Sequence, residues 1–154
     1  MRARILVLLS IAAVSLWGCA VFDPAGTGME VTVRSGSTSM PCSSASCTIN
    51  VTVGPSCAIS TDGDTLNVKV TGDPEVTVTW RLRLVSGATG AFAANGVDGK
   101  DNGDWRSEFK QSTPGPTVFS WVNKNKQKHK PFRYNVFVTQ GTVTCKYDPI
   151  IINN

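Results

Sequence analysis

Histidine is almost missing from this chain: His129 is the single one in 154 residues. That scarcity narrows the chemistry. Serine–histidine catalysis needs an imidazole oriented by a buried carboxylate, whereas His129 sits among lysines in NKNKQKHK, which reads as a mobile basic loop. Zinc ligation is poorly served too, because the cysteines lack a C-x2-C pair and the histidine is remote from them. Long apolar runs are also lacking. A helix crossing a bilayer needs about 20 apolar residues, and the longest run, ILVLLSIAAVSLW from Ile5 to Trp17, has thirteen. Strong charge of one sign is absent as well. With 15 basic residues against 11 acids, bulk charge gives no reason to expect nucleic-acid binding. No convincing amphipathic helix follows residue 20.

The short apolar run is informative where it stands. It follows MRAR, a start with two arginines and no acid. A positive segment followed by an apolar segment of this length is the pattern of an export signal. The run ends in Leu16-Trp17-Gly18-Cys19, which resembles the lipobox of bacterial lipoproteins. That resemblance is confined to residues 1–19, and Trp17 departs from the small residue usual at its position. It implies that the thiol of Cys19 receives a diacylglyceryl group, that the signal is cut before it, and that the new amino group is acylated. One buried acyl chain binds a membrane only marginally; two or three, at about 0.8 kcal/mol per methylene, hold firmly. Ala20 follows the cysteine in place of the aspartate associated with inner-membrane retention, which implies the outer membrane, on the periplasmic face or the cell surface. The rival reading is an ordinary signal cut after Ala20, giving a soluble secreted or periplasmic protein.

The expected organisation is a signal peptide over 1–18, a lipidated N-terminus and short tether over 19–28, and one domain over 29–154. Cutting after Gly18 removes Arg2 and Arg4 and leaves 13 basic residues against 11 acids. Four cysteines remain besides Cys19: Cys42, Cys47, Cys57 and Cys145. In an exported chain they read as two disulfides. Three connectivities exist. The favoured one pairs Cys42 with Cys47 around the PCSSASC loop and Cys57 with Cys145.

Period-two alternation dominates the rest. EVTVTWRLRLV sends Val76, Val78, Trp80, Leu82 and Leu84 to one face and Thr77, Thr79, Arg81 and Arg83 to the other. CTINVTV, DTLNVKV and PFRYNVFVTQ alternate in the same way. About seven to eight short strands with Gly/Pro-rich turns predict an all-β fold, an antiparallel β-sandwich of immunoglobulin-like architecture with two disulfides. Trp80 could pack on a disulfide, and Tyr134 has the placement of a tyrosine corner without its cysteine. Ser86 to Trp105 reads as a long irregular loop, either functional or hiding a short element.

Three surfaces are candidates for function. Lys124, Lys126, Lys128, His129 and Lys130 could meet an anionic surface such as phospholipid or lipopolysaccharide headgroups; the plainer reading is a solvated hairpin loop whose charge discourages aggregation. Trp105, Trp121 and Phe137 could form an exposed aromatic patch for a glycan or a protein, or belong to a strand buried on both sides. DGKDNGD offers a weak calcium candidate in Asp98, Asp101, Asn102 and Asp104, although Lys100 and Phe109 occupy positions where an EF-hand loop places ligands; otherwise no metal and no cofactor beyond the covalent lipid is expected. The expected function is that of a membrane-anchored lipoprotein with a binding or structural, non-enzymatic role in the bacterial cell envelope. Its partners would be the membrane and a cell-envelope protein or glycan, not nucleic acid. The alternatives are a glycan-binding sandwich module and a small cell-envelope hydrolase whose carboxylates meet in space.

Overall fold

A computed structural model describes residues 30–34, 38–72, 74–100 and 102–154. The signal segment, Cys19, the tether and Asp101 lie outside the described residues. Among the described residues twelve strands form, in chain order β1 (Glu30–Arg34), β2 (Ser39–Cys42), β3 (Ser46–Val53), β4 (Ile59–Thr61), β5 (Thr65–Val68), β6 (Val76–Leu84), β7 (Ala91–Gly99), β8 (Phe109–Thr113), β9 (Val118–Asn123), β10 (Pro131–Gln140), β11 (Val143–Asp148) and β12 (Ile150–Asn153). One short α-helix, α1 (Asn102–Glu108), and one 3-10 turn, Pro55–Cys57, interrupt them among the described residues.

The strands make two sheets. The larger has seven strands in the order β1-β11-β10-β12-β5-β2, with β7 added on β10; the smaller runs β4-β3-β6-β9-β8. The long strand β10 organises the first. It pairs with β7 through Tyr134 to Thr139, with β11 through Val136 to Gln140, and with β12 through Pro131 to Arg133. The Tyr134 amide donates to the Pro149 carbonyl between β11 and β12, at 3.2 Å, so those two strands run along β10 as one interrupted strand.

The all-β, two-disulfide sandwich is as the sequence predicts, but it is built from twelve strands in place of seven to eight, because short segments such as β2, β4 and β5 pair as separate strands. Strand direction is not as predicted: β1–β11, β12–β5, β2–β5 and β3–β6 are parallel pairs, and the sheets are of mixed type. Immunoglobulin sandwiches are built from antiparallel sheets, so the likeness ends at the layering. Neither is Tyr134 a tyrosine corner. Its hydroxyl accepts from Trp80 Nε1 of the opposite sheet at 3.1 Å, and the two rings meet edge to face at 5.4 Å. The supposed loop from Ser86 contains β7 and leads into α1.

Burial follows the alternation where a strand faces the other sheet. Val76, Val78 and Trp80 are buried, whereas Leu84 at the far end of β6 is exposed. Ile49, Val51 and Val53 of β3 and Phe132, Tyr134, Val136 and Val138 of β10 face the same core. Aromatic rings span the layers: Phe92 meets Phe119 at 6.1 Å and Phe109 meets Phe132 at 5.2 Å. Buried apolar area of this kind, at roughly 25 cal/mol per Å², is the main favourable term holding the sheets together. Both favoured disulfides are present. Cys42–Cys47 and Cys57–Cys145 have Cα atoms 5.9 Å and 5.3 Å apart.

Tyr134 gives the fold an alkaline limit. Burial pushes its phenol pKa well above the ordinary value, the Trp80 hydrogen bond offsets part of that rise, and the Asp64 carboxylate adds to it. Below pH of about 10 both the folded and unfolded phenols keep their protons. Above it the unfolded chain releases the proton and the folded chain does not, so stability falls as pH rises, by up to about 1.4 kcal/mol per pH unit. Denaturant unfolding of wild type beside Tyr134→Phe checks this. The slope above pH of about 10 should flatten in the variant.

Candidate functional site

The Lys-rich segment connects β9 to β10, and it is held from beneath by a buried carboxylate that sequence reasoning missed. Glu108, the last residue of α1, is 1 % exposed. Its Oε1 accepts from the amides of Lys126 at 2.5 Å and Gln127 at 3.2 Å, and from Asn153 Nδ2 at 2.9 Å. A carboxylate taken from water needs such donors; unpaired, it would cost several kcal/mol. Asn153 also accepts from Asn123 Nδ2 at 2.7 Å, and the Asn125 amide donates to Asn123 Oδ1 at 2.8 Å. Asn125 and His129 both take left-handed backbone angles, with φ of 54° and 57°, a region in which asparagine and histidine are enriched. His129 therefore has a turn-forming role, and its amide donates to the Asn153 carbonyl at 2.6 Å.

This hydrogen bonding corrects the expectation of a mobile loop. The lysines are partly engaged as well. Lys128 Nζ reaches Asn125 Oδ1 at 3.1 Å and the Asn154 carbonyl at 3.2 Å. Lys130 pairs with Asp104 at 2.8 Å and lies over the Phe132 ring. The segment is thus a built, cationic surface feature.

Beside it opens a cleft of about 300 Å³ lined by Arg106, Phe109, Lys110, Gln111, Trp121 and Lys124. Local structure explains the gathering. Strand β8 is the edge of the smaller sheet, and its register sets Lys110 opposite Val122 and Gln111 opposite Trp121. The Lys124 amide donates to the Glu108 carbonyl at 2.9 Å, and its Nζ to the Ser107 carbonyl at 2.7 Å. Residues separated by up to 18 positions therefore share one rim. Phe109 and Trp121, both buried, supply an apolar floor. No protein-family model matches this chain, and no curated protein is significantly similar to it. The site has to be read from its own chemistry.

Charge is concentrated here. Residues 102–130 contain six basic residues, Arg106, Lys110, Lys124, Lys126, Lys128 and Lys130, against the acids Asp104 and Glu108. Their net of +4 equals the formal charge of the whole chain, so the remainder is neutral. The near-balance of the full composition concealed this face; a windowed charge count would have marked it.

The aromatic patch is not there. Trp105 is 1 % and Trp121 3 % exposed. Trp105 sits on α1, stacked 4.0 Å from Phe109, and Trp121 Nε1 donates to the Val97 carbonyl at 3.0 Å. Phe137 is half-buried, under the Lys146 ammonium. Trp105 belongs to a helix, and Trp121 faces the larger sheet from β9, on the same side as buried Phe119. The acidic stretch is likewise engaged internally. Asp98 Oδ1 accepts from the Gly99 amide at 3.0 Å and lies 3.9 Å from Arg106, and Asp104 holds Lys130. Among the described residues no three acidic, histidine or cysteine side chains converge as a metal site.

Proposed function

We propose that this protein is an exported lipoprotein, anchored through Cys19 to the outer membrane of a bacterial envelope, where the sandwich serves a binding or structural role through its basic face. The observation that carries the reading is the pairing of Cys42 with Cys47 and of Cys57 with Cys145. Disulfides form and persist in oxidising compartments, which agrees with the export leader. The basic face supports a binding role: it is a preorganised concentration of positive charge on a mature chain whose remaining residues, seven basic against nine acidic, carry no positive excess. The engagement of the two buried carboxylates supports a non-catalytic one. Glu108 holds the loop, and Asp64 accepts from Tyr147 and from the Thr38 hydroxyl. Burial of Trp105 and Trp121 leaves the glycan-binding alternative without its ring platform.

Expression of wild type and Cys19→Ser in a Gram-negative host tests the anchor. Wild type should fractionate with membranes and leave them only with detergent. The variant should accumulate unprocessed or be released without detergent. Equal, detergent-independent solubility of the two proteins would overturn the proposal.

A further inference from the structure

We infer that the cleft between α1, β8 and the start of the Lys-rich loop is an anion-binding subsite for a phosphoryl group, with Lys110, Lys124 and Arg106 as its cationic donors. The inference goes beyond the envelope reading and does not depend on lipidation of Cys19. It rests on how the charges are held. Lys110 stands on the edge strand and is exposed, and among the described residues no hydrogen bond or ion pair engages its side chain. Lys124 Nζ donates to the Ser107 carbonyl. That bond fixes the ammonium in place without neutralising it, and two of its three N–H donors stay available. Arg106 is 65 % exposed, and its nearest carboxylate, Asp98, is 3.9 Å away, beyond a good hydrogen bond. Its guanidinium fork can turn from Asp98 to a ligand.

Three cations around one cleft ask for more than a single negative charge. An arginine fork matches two oxygens of a tetrahedral anion, and lysines supply point charges around it. The Gln111 amide, on the same lining, adds a neutral donor. The apolar floor of Phe109 and Trp121 lowers the local dielectric, which strengthens each of these contacts. A phosphoryl group, carrying up to two charges and at least two free oxygens, satisfies that donor set. It could come from the phosphomonoester headgroup of a lipid or from a soluble phosphomonoester.

Isothermal titration of inorganic phosphate into the full chain in non-ionic micelles, at ionic strength matched with chloride, tests the subsite. Saturable binding is expected. Lys110→Ala and Lys124→Ala should each weaken it about tenfold, the loss typical of one charge-assisted contact. Lys126→Ala, on the same basic face but outside the cleft, should leave it unchanged. Absence of saturation, or an equal loss in Lys126→Ala, would overturn the inference by reducing the cleft to general surface charge. A second arm separates the sources. In phosphatidylcholine vesicles containing phosphatidic acid, whose headgroup is a phosphomonoester, a headgroup ligand occupies the cleft and suppresses the phosphate titration. A soluble ligand leaves that titration as it is in phosphatidylcholine alone.

Discussion

Replacing Cys57 and Cys145 together by alanine lowers the stability of the domain by about 4–5 kcal/mol, on the order of 15 °C in melting temperature. The two residues are 88 positions apart. In the chain-entropy description a cross-link over so long a loop removes a large part of the unfolded chain's freedom. Cys57 ends the turn before β4 in the smaller sheet, and Cys145 lies on β11 in the larger, so this bond joins the layers covalently. Gln140 reinforces the junction. Its Oε1 accepts from the Cys57 amide and its Nε2 donates to the carbonyls of Gly54 and Thr89, each at 2.9 Å. Cys42–Cys47 closes only five positions, and the same description gives it about 2 kcal/mol. Scanning calorimetry of the two paired-alanine variants separates them. A drop for the Cys57/Cys145 pair no larger than that for Cys42/Cys47 would refute this assignment of roles.

Trp105→Ala costs about 3–5 kcal/mol. Trp105 is the residue through which α1 enters the core. It stacks on Phe109, meets Trp121 edge to face at 5.4 Å, and lies 5.7 Å from Tyr134. Gly99 makes room for it, since a Cβ there would stand 2.1 Å from Trp105 Cγ. Any side chain at Gly99 must therefore displace the indole. A helix of seven residues has almost no stability of its own, so truncation of the indole should release α1 together with its cargo. Glu108 then loses its position beneath the loop, and Arg106 its position at the cleft. Denaturant unfolding reads the energy; hydrogen exchange of the Lys126 and Gln127 amides reads the release, as loss of protection. A cost below about 1 kcal/mol with protection retained would show that α1 is held some other way.

How much of this was legible depended on locality. The alternation of β6 and β10 could be read directly, because period-two burial is written in adjacent residues; the four cysteines left three connectivities open, and the favoured one is the one that forms. Strand β7 could not be read directly. Its AFAANGVDG carries alanines and glycines in place of an alternating apolar set, and a register irregularity opposes it between Val136 and Val138. The parallel pairs were hidden because each partner is remote in sequence, as with β1 and β11. Helix α1 was too short to show a 3.6-residue period. The Lys-rich segment was visible as composition, but its anchoring by Glu108 and Asn153 was not, since those residues lie at the end of a helix and at the end of the chain. The cleft was invisible for the same reason: Lys110 and Lys124 meet only through the register of β8 on β9.

The most direct test of the whole reading is the intact mass of the mature protein from detergent-extracted membranes, taken without and with reduction. The account predicts a chain beginning at Cys19, heavier than its peptide mass by its acyl groups. It also predicts a gain of four hydrogen atoms' mass on reduction, two for each of the two disulfides. A mature chain beginning at Val21 with no added mass would contradict the anchor, and a mass unchanged by reduction would contradict the oxidised, exported domain.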